Sequence, residues 1–276
     1  MRIAVLTDIH ANREAFEAVL ADVAAHGVDR IALLGDIVGY GPDPGWCCDQ
    51  AAALVAGGAI CVRGNHDNAA AGAAEAMSTL ARKALDWTRD RLGDGHVDFL
   101  ASLPLTAEAE GVLFVHASAS HPEDWSYVTS DTKAIPSFRA TTARLILCGH
   151  VHVPLLASCD LGGMVREQAF RSSLPIPLLP SRRWLAVVGS VGQPRDGVAQ
   201  AGWALVDTAR AELTFRPMMF KPPPPRFGRR ACRKIWQCAC FRESERCSYV
   251  RMRGFRSTAS RLAKSFTPGV LRRSGR

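Results

Sequence analysis

No apolar run in this 276-residue chain approaches the length needed to cross a membrane. Met1-Arg2 leads straight into Ile3-Ala4-Val5-Leu6, without the long apolar core of a secretory leader, so a cytoplasmic location is expected and no membrane partner. The nine cysteines have no disulfide-framework spacing. Cys61 and Cys148 lie inside apolar runs and read as small buried hydrophobes, while Cys238-x-Cys240 lacks the second half of a zinc site. The body of the chain also lacks a net positive charge. The formal +8 divides into −6 over residues 1–216 and +14 over residues 217–276. Nucleic acid is therefore not an expected partner of residues 1–216.

What the chain does contain is one pattern written five times. Ile3-Ala4-Val5-Leu6 leads into Asp8 and His10, and the run from Ile31 to Leu34 leads into Gly35-Asp36. Ile60-Cys61-Val62 leads into Gly64-Asn65-His66-Asp67, Val112–Val115 into His116, and Leu145–Cys148 into Gly149-His150-Val151-His152. Short apolar runs stopped by such residues read as strands buried on both faces. Strands of this kind deliver their next residues to the carboxyl edge of a parallel sheet, where open α/β folds bind ligands. Asp, Asn and His are ligands of Zn²⁺, Mn²⁺ and iron. The set is too large for one ion and suits two that share a bridging carboxylate.

Between these runs the spacing predicts a helix from Asn12 to His26, capped by Asn12, and another after Pro44 to about Val55. Ala69 to about Leu103 reads as two helices flanking the site, and residues 131–143 as one more. From Val153 to Phe215, short runs separated by Gly, Pro and Asp read as antiparallel strands of a second sheet. The expected fold is α/β, a four-layer α/β/β/α sandwich of two packed mixed sheets, in one domain over residues 1–216.

Asp8-x-His10, Gly35-Asp36, Gly64-Asn65-His66-Asp67, His116 and Gly149-His150-x-His152 occur in this order. In that order they resemble the signature of the calcineurin-like metallophosphoesterase superfamily. The likeness covers roughly residues 1–215 and is nearest to its small bacterial and archaeal members without a large cap domain. Gly35–Pro42 and Gly189–Arg195 are similar to a branch often called diadenosine-tetraphosphatase-like. The resemblance implies two divalent ions, of Mn²⁺, Fe²⁺, Zn²⁺ or Ni²⁺, one held by Asp8, His10 and His152 and the other by Asn65, His116 and His150. Asp36 would bridge them. It further implies hydrolysis of a small phosphoester or nucleotide, a phosphodiester or dinucleoside polyphosphate, by a hydroxide held between the ions. His66 would donate to the phosphate or protonate the leaving oxygen, with Asp67 orienting its ring. Asn12, Tyr40 and Arg195 are the candidate substrate contacts.

Two positions depart from the family pattern. Ala11 stands where many relatives have Gly, which disfavours a left-handed backbone there. Gly39-Tyr40 stands where many superfamily phosphatases carry Asp-Arg, which weakens a phosphoprotein-phosphatase reading. Phosphomonoester hydrolysis and a non-catalytic metal-binding scaffold remain competing readings. The tail from Pro217 has no sustained apolar period. It reads either as a disordered basic arm or, preferably, as a shifted reading frame. Read two nucleotides later with GC-rich codons, Pro217–Arg242 can encode an amphipathic helix, a glycine stop and a second helical segment.

Overall fold

In a computed structural model of the chain, residues 1–73 and 78–219 are described. Twelve strands form two six-stranded mixed sheets. The first contains β1 (Arg2–Leu6), β2 (Arg30–Leu33) and β3 (Ile60–Cys61), with β9 (Ile176–Pro177), β11 (Ala201–Asp207) and β12 (Glu212–Met218), in the order β3-β2-β1-β11-β12-β9. The second contains β4 (Thr106–Ala109), β5 (Val112–Val115), β6 (Leu145–Cys148), β7 (Leu155–Asp160), β8 (Val165–Glu167) and β10 (Arg182–Val187), in the order β4-β5-β6-β10-β7-β8. β1, β2 and β3 run parallel, as do β5, β6 and β10.

Alternation along the strands divides the side chains between two cores. Ile3 and Val5 point between the sheets, packed with Phe114, Leu147, Ala186 and Val206. Ala4 and Leu6 point outward against Phe16 and Val19 of α1 (Arg13–Ala24) and Cys47 of α2 (Pro44–Ala56). On the far side, Ile146 and Leu185 pack on Phe138 of α6 (Asp131–Ala140). The layers are thus α/β/β/α. Asn12 caps α1, its side-chain oxygen accepting from the Ala15 N–H at 3.1 Å.

One expectation is corrected. The C-terminal strands do not make a sheet of their own: β11 lies antiparallel beside β1, and β10 parallel beside β6. A parallel run has two open edges, and alternation alone does not say which edge a later strand fills. The stretch from Ala69 to about Leu103 holds the two expected helices, α4 (Thr79–Arg89) and α5 (Asp94–Ser102), while the short α3 (Asn65–Ala70) just before it is a helix that the sequence reading does not include. The half-exposed β4 and the two-residue β9 are too weakly patterned to be read in advance. The expected disorder of the tail falls on residues that, from 220 onward, lie outside the described ones; Pro217 and Met218 complete β12, pairing with Gly202 and Ala201. Among the described residues no helix is long and apolar enough to cross a membrane.

Candidate metal centre

The ends of β1, β2, β3, β5 and β6 meet on one rim. The loops lock there: within the second sheet the Gly149 N–H donates to His116 O at 2.8 Å, and between the sheets the His150 N–H donates to Asp8 Oδ2 at 2.9 Å. The loops after β2 and β3 press so closely that a Cβ on Gly64 would strike the Asp36 carboxylate. Twelve described non-glycine residues have positive φ, and seven belong to this rim: Asp8, His10, Ala11, Asp36, Tyr40, His150 and His152. Strain of this kind persists only where the surroundings over-determine it. Ala11 is one of the seven, at φ 51°, so its chain adopts the left-handed turn despite lacking glycine. Its N–H is bonded to Ile37 O at 2.9 Å.

Two groups of ligand-type atoms converge. Asp8, His10, Asp36 and His152 form one, and Asp36, His116 and His150 the other, all buried. Asn65 joins the second, with Oδ1 3.2 Å from His116 Nε2. The histidine tautomers follow from their partners. A carbonyl can only accept, so His10 Nδ1 donates to Val38 O (3.2 Å), His116 Nδ1 to Leu34 O (2.7 Å) and His152 Nδ1 to Gln193 O (2.6 Å). In the neutral rings Nε2 then carries a lone pair directed into the site, the orientation that metal-ligating histidines adopt. His10 Nε2 and His152 Nε2 are 3.1 Å apart, and His116 Nε2 is 3.1 Å from His150 Nδ1. Asp8 Oδ1 and His150 Nε2 are buried without a hydrogen-bond partner. Facing lone pairs and a buried unpaired oxygen fit divalent cations, with a donor set of nitrogen and oxygen.

The electrostatics agree. Burial works to raise the Asp8 and Asp36 carboxyls, but His152 and His116 respectively overcome it and hold them below the usual range. Burial likewise pulls His116 down, yet the charge and hydrogen bond of Asp36 raise it to about 9. Burial, then the nearby His116, lowers His150 to about 3. His10 is lowered, mainly by burial.

His66 belongs to neither group of ligand atoms. Its backbone N–H donates to Asp36 Oδ1 at 2.8 Å, and its buried ring lies 5.0 Å from that of His10 and 4.6 Å from that of Tyr40. Gly39 leaves room for this ring, because a Cβ there would strike it. Burial lowers the His66 pKa.

Two expected roles are corrected. Asp67 does not orient the His66 ring: its carboxylate accepts the N–H groups of Ile37 (2.9 Å), Val38 (3.2 Å) and Gly64 (3.1 Å), tying the β2 loop to the start of α3. Burial, reinforced by Asp36, raises it to about 7. Asn12 is not presented to a substrate. It is 3 % exposed, and both ends are engaged, by the cap of α1 and by donation to Gly192 O at 2.9 Å. Tyr40 does sit at the rim, its ring 4.9 Å from that of His10. Arg195 donates to Gln193 Oε1 at 2.7 Å, beside the carbonyl that anchors His152, and its charge reaches His66.

Sequence reasoning missed the residues that support the ligands. Ser190 Oγ donates to Asp8 O at 2.9 Å and accepts the Gln193 N–H at 2.8 Å. Trp125 and Tyr127 lie against His116 and His150. Ser190 lies in the Gly189–Arg195 stretch but was given no role there, and no motif marks Trp125 or Tyr127; only the folded chain brings them to the rim.

The sandwich and its rim of Asp, Asn and His are those of a metallophosphoesterase, and the profile of the calcineurin-like phosphoesterase superfamily domain matches residues 1–211. The chain belongs to that superfamily of metal-dependent hydrolases of phosphoester bonds. An uncharacterised protein of Methanocaldococcus jannaschii is 35% identical over 212 residues, 74% of this chain and 82% of that one. The crystal structure of a metallophosphoesterase from Sphaerobacter thermophilus is also 35% identical, with a TM-score of 0.69 over 80% of this chain and 89% of that one. A hypothetical protein of Pyrococcus horikoshii, 17% identical with a TM-score of 0.64 over 87% and 97% of the two chains, shares the fold.

Proposed function

We propose that the protein is a two-metal phosphoesterase that cleaves a phosphodiester or dinucleoside polyphosphate, with Asp36 ligating both ions. The observation that carries this reading is the place of Asp36 Oδ2, 3.6 Å from His10 Nε2 and 3.4 Å from His116 Nε2. One carboxylate oxygen thereby serves both groups of ligand atoms. Asp8, His10 and His152 would complete one site, and Asn65, His116 and His150 the other. Ions such as Mn²⁺, Fe²⁺, Zn²⁺ or Ni²⁺ suit this donor set. When bound, the pair supplies an acidified water as nucleophile and neutralises phosphate charge.

The chain's own groups do the rest. His66, kept neutral by burial, donates its ring N–H to a phosphate oxygen; the incoming negative charge raises its pKa so that it protonates the leaving oxygen. Asp67 fixes the two loops that carry Asp36 and His66. Arg195 contacts the distal part of the substrate, and Tyr40 closes the rim beside His66. With Tyr40 standing where an arginine would serve a phosphoprotein phosphatase, a small diester or polyphosphate fits better than a phosphoprotein. The proposed location is the cytoplasm.

The test is a panel of phosphomonoesters, phosphodiesters and dinucleoside polyphosphates offered to the purified protein with Mn²⁺. Preference for diesters or polyphosphates supports the reading; cleavage of monoesters alone overturns the substrate class. Bound metal with no hydrolysis of any ester would favour the non-catalytic scaffold.

A further inference from the structure

Tyr127 stacks on His150, the ring centroids 4.0 Å apart and the planes at 26°. Trp125 meets His116 edge-on at 5.9 Å and 70°. Both histidines belong to the second group of ligand atoms, with Asp36. Tyr127 nevertheless stays 52 % exposed. One face covers His150 while much of the ring remains open to solvent.

The loop that carries these rings, between β5 and α6, is tied down at several points. Val128 is buried with Val115, Ala134 and Phe138. The Ser118 N–H donates to Ser126 O at 3.2 Å, and the Ala119 N–H to Ser137 Oγ at 3.0 Å. His121 and Trp125 flank a short 3₁₀ turn at φ 50° and 51°, a conformation that ordinary residues keep only under constraint. The fold therefore holds two aromatic side chains in place at the edge of a phosphate site.

We propose that Trp125 and Tyr127 form a stacking platform for the nucleobase of a nucleotide ester whose phosphate lies at the Asp36 cluster. This rests on the phosphoesterase reading and names its substrate class. An aromatic ring recognises the flat face of any base, at about 1–3 kcal/mol per stacked base. Glu123 and Asp124, exposed in the same turn, can accept hydrogen bonds from exocyclic amino groups. Their charge, with the −6 of residues 1–216, repels a long polyanion. The fitting ligand is a mononucleotide or dinucleotide ester rather than a nucleic-acid strand.

The test compares thymidine 5′-(4-nitrophenyl phosphate) with methyl 4-nitrophenyl phosphate, which share a leaving group and differ in the nucleoside. In Trp125→Leu and in Tyr127→Leu, the kcat/KM ratio of nucleotide to methyl ester should fall by roughly five- to a hundredfold, carried by KM. Tyr127→Phe, which keeps the ring, should restore the ratio. Calorimetric titration of the Mn²⁺-loaded protein with thymidine 5′-monophosphate reads the platform without turnover, and its affinity should fall by a similar factor. Equal losses on both esters together with lost Mn²⁺ would make Tyr127 a buttress of His150 and overturn the proposal. So would unchanged ratios and affinities in both leucine variants. If the wild type binds the monophosphate through these rings but hydrolyses neither ester, the phosphoesterase reading fails while the platform stands.

Discussion

His10 and His152 face each other Nε2 to Nε2 at 3.1 Å, each with its Nδ1 proton committed to a backbone carbonyl. Two lone pairs at that separation repel unless a cation or a proton lies between them. The chain maintains the arrangement with left-handed backbone at both residues, φ 49° and 63°. Local strain and facing lone pairs have one physical resolution in common, a bound positive charge.

His116 gives that statement a pH dependence. With Nδ1 donating to Leu34 O, the nitrogen that titrates is Nε2, facing Asp36. Its folded pKa of about 9 exceeds the ordinary 6.5. The sign follows: this pair stabilises the metal-free protein fully below pH 6.5, and the stabilisation is lost as pH rises through about 9. In urea denaturation of chelator-treated protein, the wild type should lose more stability between pH 6.5 and 9 than His116→Gln. Parallel losses would contradict the pairing. Metal binding near pH 7.5 should also release about one proton, read by calorimetry in buffers of different ionisation enthalpy.

His66→Ala should lower turnover by roughly 10²–10⁴ while the metals stay bound. The loss should be smaller for a 4-nitrophenolate leaving group, which needs little protonation. Loss of metal from this variant would make His66 a ligand.

Ala11→Gly should stabilise the protein by about 0.5–1 kcal/mol, because the αL cost to Ala exceeds the entropic cost of Gly. Thermal unfolding of the metal-loaded protein measures it. A lower melting temperature would show that the Ala11 methyl, fully buried, contributes more packing than strain.

Removing residues 220–276 should leave metal content and hydrolysis nearly intact. The superfamily match ends at residue 211 and β12 ends at Met218. Resequencing the gene tests the shifted-frame origin of the tail directly. Lost activity on truncation would place the tail in the working enzyme.

β1, β5 and β6 were legible because each has a short buried apolar run that leads into a ligand-type residue, as at Ile3–Leu6 and Leu145–Cys148. Asp36 at the end of β2 and the paired histidines after β6 were legible for the same reason. The destination of β10 and β11 was not, since either open flank accepts a strand of their pattern. The role of Asp67 was not legible, because motifs give a residue's place in the chain and not the direction of its side chain, which turned to backbone amides. The helix cap made by Asn12 was legible, and that cap is what keeps its side chain from a substrate. Trp125 and Tyr127 reach the site through a loop whose course depends on Val128 and Ser137, contacts distant from any motif.

The shared carboxylate is the centre of the account, and Asp36→Asn tests it most directly. Metal content per chain should be measured by elemental analysis beside hydrolysis of bis(4-nitrophenyl) phosphate. The variant should lose most of its bound metal and nearly all turnover, since both groups of ligand atoms depend on that oxygen. A full complement of two ions with near-normal turnover would contradict the bridging role and, with it, the two-metal mechanism.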